Sequence, residues 1–519
     1  MAGRSAFDDL FPVPLPGRLS IWVLKSNEKD INMRDSKRRN VVFILSDDQG
    51  AWAMRCAGNS DIETPNLDYL ASQGVRYNNF FCVCPVCSPA RASIMTGLIP
   101  SQHGVHDWIC SGNLDRSMLG EHEADKRFQK ETTAIPYLDG MLTYTDILQK
   151  KGYRCALSGK WHLGDSMNPQ HGFSKWFTIG RGGCGYYTPD VIENQRLYFE
   201  SGYITDIITD KALEYMSELR KEDEPYYISI HYTAPHSPWE EAPHPGKYLD
   251  LYRDCGFHAT PDLPLHPNQK PTAPSGTGER RKELLRGYYA AITAMDNNIG
   301  RIIDDLKSAG EWERTIVVFT SDNGMNMGHH GIWGKGNGTF PFNMYDTAVK
   351  VPFIIRVPDT QPQSHVSEAM HSHYDWIHTI TELLEIDFQP ERKMPGKSFA
   401  KELLGVQAAK EQGSVVVYDE YGANRMIRTK EWKYIRRYPY GEDELYHLTE
   451  DPGEQYNLIM DKQYAEIREQ LNHQLSTWFY TYADPAVDGT RESVRGYGQM
   501  CRAGIYSEGK EPYCQSKQA

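Results

Sequence analysis

This chain of 519 residues lacks several things, and each absence narrows its class. No apolar run approaches the roughly 20 residues that a membrane helix needs. The best, at residues 41–45 (VVFIL) and 316–319 (IVVF), have the length of buried strands. Basic charge is scarce too: 56 Lys and Arg stand against 69 Asp and Glu, a formal net charge of −13. Bulk nucleic-acid binders carry the opposite surplus, so neither nucleic acid nor membrane is an expected partner. Cysteine is sparse, ten residues with no spacing that demands a disulfide framework. Internal repeats are missing. A secretory leader is not evident either: Asp8 and Asp9 sit early, Pro12, Pro14 and Pro16 interrupt the segment, and the apolar stretch 19–24 is short. As it stands the chain is expected in the cytoplasm, with export open if a leader is missing. The sequence leaves the oligomeric state open.

What is present is core-forming material. The chain is 39% hydrophobic and 12% aromatic, which excludes a disordered or low-complexity protein. Residues 1–39 are polar, dotted with proline, and read as an N-terminal extension. From residue 40 to about 405, short apolar strands alternate with longer amphipathic stretches, the pattern of an α/β domain. Strands are expected at 41–45, 154–157, 226–232 and 315–320, and helices from Thr64-Pro65 to Gly74 and from 283 to about 306. The proline-rich stretch 256–279 reads as a long surface loop. Residues 406–480 change character: short strands at 415–418, 432–436 and 445–448, then a helix over 462–480, predict a small antiparallel-sheet subdomain. The tail, 481–519, is either flexible or an arm packed on the main domain.

Chemistry concentrates where those strands end. Asp47 and Asp48 follow the first strand, and Asp322 and Asn323 follow the strand at 315–320. Adjacent carboxylates repel unless a cation lies between them, and oxygen-only ligands favour a hard ion such as calcium or magnesium. An Asp-rich turn is the plain alternative for the first pair, but two oxygen clusters at one sheet edge suit one metal. Ser88 and Pro89 suit the cap and first turn of a helix. Cys87 then sits at a helix N-terminus that favours an anion, with Arg91 one turn along. Cys82, Cys84 and Cys87 as a soft-metal site is the weaker reading, because no later Cys/His pair completes it. Lys160 and His162 follow a third strand, His236 follows a fourth, and Lys335 comes a dozen residues after Asp322-Asn323. Singly each would be an ordinary surface Lys or structural His. Together they follow four predicted strands, which independent accidents do not explain.

These residues resemble the formylglycine-dependent sulfatases of the alkaline phosphatase superfamily. The signature C-x-P-x-R followed by T-G is matched by Cys87 to Gly97. The resemblance extends to Asp47-Asp48-Gln49-Gly50, to G-K-W-H-L-G at 159–164, A-P-H-x-P at 234–238, D-N-G at 322–324 and Lys335. In the subdomain, Trp432-Lys433-Tyr434 and Leu445-Tyr446 through Asp451-Pro452-Gly453-Glu454 look like family landmarks. Two departures stand out. Ala90 replaces the frequent Ser before the signature Arg, and Ala348-Val349-Lys350-Val351-Pro352 replaces a Gly-Gly segment, a change expected to reshape the pocket wall.

The resemblance implies a large mixed sheet flanked by helices, alkaline-phosphatase-like, with a smaller C-terminal α+β subdomain. It implies that a formylglycine-forming maturation enzyme oxidises Cys87, and that the hydrated aldehyde attacks the sulfur of a sulfate monoester. Asp47, Asp48, Asp322 and Asn323 would hold calcium, with magnesium as the other hard ion, while Lys160 and Lys335 stabilise the transferring group and Arg91 fixes the diol. His236 would protonate the leaving alcohol and His162 would take the proton of the second hydroxyl. A carbohydrate sulfate is the favoured substrate, with an aryl or steroid sulfate next. A phosphonate or phosphate ester hydrolase of the same superfamily, and a non-catalytic binder of sulfated glycans, are the rival readings. Trp108, Arg181, Tyr186, Tyr187, Trp239, His330 and Trp333 are candidate pocket residues.

Overall fold

The computed structural model describes residues 38–360, 364–406 and 417–516. Its centre is a ten-stranded sheet. The strands in chain order are β1 (Asn40–Ser46), β2 (Val75–Phe81), β3 (Arg154–Gly159), β4 (Phe173–Ile179), β5 (Asp190–Glu193), β6 (Arg196–Phe199), β7 (Tyr226–His231) and β8 (Thr315–Ser321). A two-stranded ribbon, β9 (Asn326–Met327) and β10 (Trp333–Gly334), precedes β11 (Phe353–Arg356) and β12 (His365–Ser372). The large sheet runs β12-β2-β11-β8-β1-β7-β3-β4-β5-β6. The pairings from β8 to β4 are parallel, and β11, β5 and β6 pair antiparallel with their neighbours. The sheet is therefore mixed, as expected.

β1 explains why the continuous apolar run was legible. Val41, Phe43 and Leu45 point into one core and Val42 and Ile44 into the other, so both faces are covered and no polar alternation survives. The 31-residue helix Gly278–Ser308 packs on one face with the helix Ile204–Leu219, through apolar positions at helical spacing such as Leu284, Tyr288, Ile292, Met295 and Ile299. The helices Cys87–Thr96, Tyr144–Lys150 and Trp376–Leu383 cover the other. Among the described residues no helix is long and apolar enough to cross a membrane.

A second sheet is an antiparallel meander of β13 (Val417–Tyr421), β14 (Asn424–Arg428), β15 (Trp432–Arg437) and β16 (Glu444–His447). β14 went unrecognised in the sequence, because its buried residues include Asn424, Arg425 and Arg428, which carry no strand signal. One face takes the helix Ala465–Tyr482 through Leu471, Leu475 and Phe479; the other gives Tyr421, Met426, Ile435 and Tyr446 to the main core. Residues 1–37 and the start of the strand expected at 415–418 lie outside the described residues.

The tail is an arm. Gln499 is fully buried: its side chain accepts from the His106 N–H at 2.8 Å and donates to Gly104 O at 3.0 Å, while its backbone bonds Trp108 and Cys110. The stretch 256–277 is a loop, though not wholly a surface one, and the last two residues of the expected loop already belong to the helix Gly278–Ser308. Lys270 N donates to Gly338 O at 2.8 Å, and Trp333 N donates to Gln269 Oε1 at 2.9 Å.

Candidate functional site

Four neighbouring strands, β8, β1, β7 and β3, run parallel, so their C-terminal ends open on one edge. Ser46 pairs with Ser321, Leu45 with His231 and His231 with Gly159. This register places Asp47-Asp48, Asp322-Asn323, Lys160 and the loop to His236 side by side. Two backbone bonds tie the edge together, Asp47 N to Ala234 O at 3.1 Å and Lys160 N to His231 O at 2.8 Å. Gly159 is required there: its φ is +113° and a Cβ would lie 2.0 Å from His231 O.

Cys87 opens the helix Cys87–Thr96, so its side chain sits where the helix dipole favours negative charge. The cap differs from expectation. Val86, in extended conformation, takes the cap position without a side-chain bond, and Ser88 instead accepts from Ile109 N–H at 3.0 Å. The register of the loop, fixed by Ala90 N to Val86 O at 3.1 Å, shifts the helix start two residues earlier.

All ten predicted site residues fall in one constellation. Cys87 Sγ lies 3.3 Å from Asp47 Oδ1 and 2.6 Å from Lys335 Nζ. Three carboxylates meet three cations: Lys160 Nζ is 2.5 Å from Asp47 Oδ2, Lys335 Nζ 2.6 Å from Asp48 Oδ1, and Arg91 Nε 2.9 Å from Asp322 Oδ2. All six side chains are buried, where charges persist only as partnered groups. Lys335 reaches the site because Gly336 N donates to Pro85 O at 3.0 Å and Asn343 Nδ2 to Lys335 O at 2.9 Å, tying its turn to the Cys87 loop. His236 Nε2 stands 3.7 Å from Asp48 Oδ2. His162 donates from Nε2 to Ile109 O at 2.9 Å.

Burial and pairing set the protonation states. Burial raises the carboxyl groups of Asp47 and Asp48, but the neighbouring cations together, Lys160 with His236 and Arg91 at the first and Lys335 with His236 at the second, outweigh it and hold both below the usual carboxylate range. Asp322 goes the other way, raised by burial and by Asp47. Burial pushes the Cys87 thiol well up, with Asp47 adding to it. His162 is held far below the usual imidazole range by burial and by Lys160, so the ring is neutral.

The donor set suits a hard cation. One oxygen each from Asp47, Asp48 and Asp322 lie within 4.8 Å of one another. Asn323 donates from Nδ2 to Asp48 Oδ1 at 2.9 Å, while its Oδ1 is buried with no protein partner among the described residues. An all-oxygen set with an orphaned amide oxygen fits calcium or magnesium.

Asp48, Cys87, His162, His236 and Lys335 line a cavity of about 570 Å³. Of the candidate wall residues, Trp108, Arg181 and Trp239 line it as well. Tyr186 and Trp333 belong to the core, Tyr187 is exposed, and His330 stacks on Tyr345 beside a different cavity. The segment 348–352 does not line the cavity of the described residues, contrary to expectation; Lys350 pairs with Asp346 at 3.2 Å instead. Sequence reasoning missed Asn113, Lys126, Arg127, Lys130 and, from the C-terminal arm, Tyr497. Only the basic spacing of residues 126–130 could have hinted at them.

Gly182 is the second glycine the site depends on, since a Cβ there would lie 2.2 Å from His162 Nε2. The His162 ring is pinned by Ile109 O and cannot retreat freely. Gly182→Ala is expected to lower kcat about 10²-fold by displacing the imidazole, with little change in thermal unfolding. Unchanged kcat in that variant would show the ring position to be unimportant.

Comparison with known proteins places this geometry in context. A family model described as sulfatase matches residues 39–386, and one described as the C-terminal part of N-sulphoglucosamine sulphohydrolase matches residues 328–479. An N-acetylglucosamine-6-O-sulfatase of Bacteroides thetaiotaomicron is 28% identical over 87% of this chain and 88% of its own. An ulvan-active sulfatase of Formosa agariphila is 28% identical over 90% and 86%. Among solved structures, a protein in complex with its substrate D-glucosamine-2-N,6-O-disulfate aligns with a TM-score of 0.71 and 25% identity, over 88% of this chain and all of that one.

Proposed function

Because the chain belongs to the sulfatase family and is a sulfuric ester hydrolase, we propose that it hydrolyses a sulfate monoester of a carbohydrate through Cys87 converted to formylglycine. The observation that carries this reading is Cys87 Sγ lining the cavity, within 2.6 Å of Lys335 Nζ and 3.3 Å of Asp47 Oδ1. The names of the relatives, and the glucosamine disulfate bound by the similar solved structure, support the carbohydrate. So do Trp108 and Tyr497 in the cavity wall, whose half-buried rings offer surface for a sugar.

The residue roles follow from the contacts. Asp47, Asp48, Asp322 and Asn323 would hold a calcium ion, or magnesium, which supplies Lewis-acid polarisation of a sulfate oxygen. Formylglycine, made by a maturation enzyme, supplies as its hydrate one hydroxyl for attack on sulfur and a second through which sulfate is expelled. Lys335 and Lys160 place positive charge beside Cys87, where the transferring sulfuryl group gathers negative charge. Arg91, anchored on Asp322 and on Lys160 O at 2.9 Å, keeps Nη2 without a protein partner among the described residues, a donor that would be available to hold a hydroxyl on residue 87.

The two histidines divide acid and base work. His236 Nδ1 lies 2.8 Å from Ser237 O, a group that only accepts, so Nδ1 bears a hydrogen. The protonated ring then presents Nε2–H to the leaving oxygen. His162 Nε2 donates to Ile109 O, which leaves Nδ1, buried without a protein partner, as the basic atom.

Removal of His236 tests the acid role. His236→Ala is expected to cut turnover of a sugar sulfate, a poor leaving group, by about 10²–10⁴-fold, and that of 4-methylumbelliferyl sulfate far less. Equal losses on both would remove the proton-donor role. Sulfate release from a panel of sulfated monosaccharides beside the aryl ester tests the substrate class, and aryl-only turnover would overturn it.

A further inference from the structure

The cavity wall carries more positive charge than cleavage of one sulfate ester needs, in a chain whose net charge is −13. Lys126, Arg127, Lys130 and Arg181 line the same cavity as Cys87. Arg127 is matched locally by Asp125, whose two oxygens lie 3.0 Å from its Nε. Arg181 is held differently. Its Nε and Nη2 donate to Asp190, a buried carboxylate, at 3.3 Å, and Nη1 donates to Arg127 O at 3.0 Å. The guanidinium also lies over the Phe128 ring at 5.1 Å. Of its five N–H groups, three are taken, and among the described residues the other two have no protein acceptor.

Glu131, a buried carboxylate on this wall, offsets part of that charge through its attraction to Arg181 but takes none of the Arg181 N–H groups. Its oxygens accept from Asn113 N at 2.9 Å, Asn113 Nδ2 at 3.0 Å and Leu114 N at 3.2 Å. The wall also stands next to the chemistry. After Arg181 the chain runs into Gly182, pressed against His162, and Gly183, whose Cβ position is 3.8 Å from His236 Cε1.

We propose that Arg181, with Lys126 and Lys130, forms a subsite for a second anionic group of the substrate, a sulfate or a carboxylate beside the ester that is cleaved. The proposal rests on the carbohydrate-sulfate reading and narrows it to polyanionic glycans. A planar guanidinium fixed on one edge and stacked below is suited to two parallel bonds to such a group. The lysines add charge without fixing its orientation.

The test uses Cys87→Ala protein, so that binding is measured without turnover. Calorimetry compares 6-O-sulfated glucosamine with 2-N,6-O-disulfated glucosamine and with 6-O-sulfated glucosamine linked to a uronic acid. At least one doubly charged ligand is expected to bind about tenfold or more tightly than the singly charged one, and which one distinguishes sulfate from carboxylate. Adding Arg181→Ala is expected to collapse that ratio. Lys126→Gln, at an exposed position where folding is not at stake, is expected to reduce it. Equal binding of all three ligands, or a ratio unchanged in both variants, overturns the subsite. Binding of none of them overturns the carbohydrate reading itself and the subsite with it.

Discussion

Replacing Cys87 with alanine is expected to lower kcat for sulfate release by about 10⁴-fold or more, with the fold retained. Lys335 keeps Asp48 as a partner at 2.6 Å when the sulfur is lost, so no buried charge is orphaned. Cys87→Ser sharpens the result. Serine restores a side chain of similar size at the first position of the helix, yet a sulfated serine has no internal route by which to expel sulfate. The account therefore expects the serine and alanine variants to be equally inactive in steady state. Serine turnover near the wild-type rate would point to a simple hydroxyl or thiol nucleophile.

The second large effect is expected at Asp322. Its Oδ2 holds Arg91, and its Oδ1 accepts from the backbone of Asp48 at 3.2 Å and of Asn323 at 2.8 Å. Asp322→Asn removes the counter-charge of a buried guanidinium, a change that costs about 3–5 kcal/mol in such pairs. It also weakens an oxygen ligand of the proposed cation. Activity is expected to fall about 10³-fold, and urea unfolding to shift to lower concentration. Wild-type enzyme treated with chelator should lose activity and regain it with calcium, whereas the variant should not recover at the same concentration. Full activity of the wild type in chelator would remove the metal from the account.

Much of the site was legible because its residues follow strands. Runs such as VVFIL and IVVF mark strands buried on both faces, and the polar residues just beyond them sit at the sheet edge where open α/β folds bind ligands. Parallel register in β8, β1, β7 and β3 then turns distant motifs into neighbours. The cavity wall was not legible for the opposite reason. Lys126, Lys130 and Arg181 lie outside that edge, on segments whose placement depends on Asp190, Phe128 and the arm around Gln499. Ser88 was misread as a cap because its hydroxyl answers Ile109 and not its own helix. β14 escaped notice because its arginines are buried by ion pairs, Arg425 with Glu420 and Arg428 with Asp346, which no local pattern reveals.

The most direct test is the ratio of kcat/KM for the sulfate and the phosphate monoester of one sugar alcohol, measured on protein produced together with a formylglycine-forming maturation enzyme. The account predicts that the sulfate ester is hydrolysed in clear preference and that this turnover vanishes in Cys87→Ala. Preference for the phosphate ester, or sulfate turnover that survives the loss of Cys87, would contradict it.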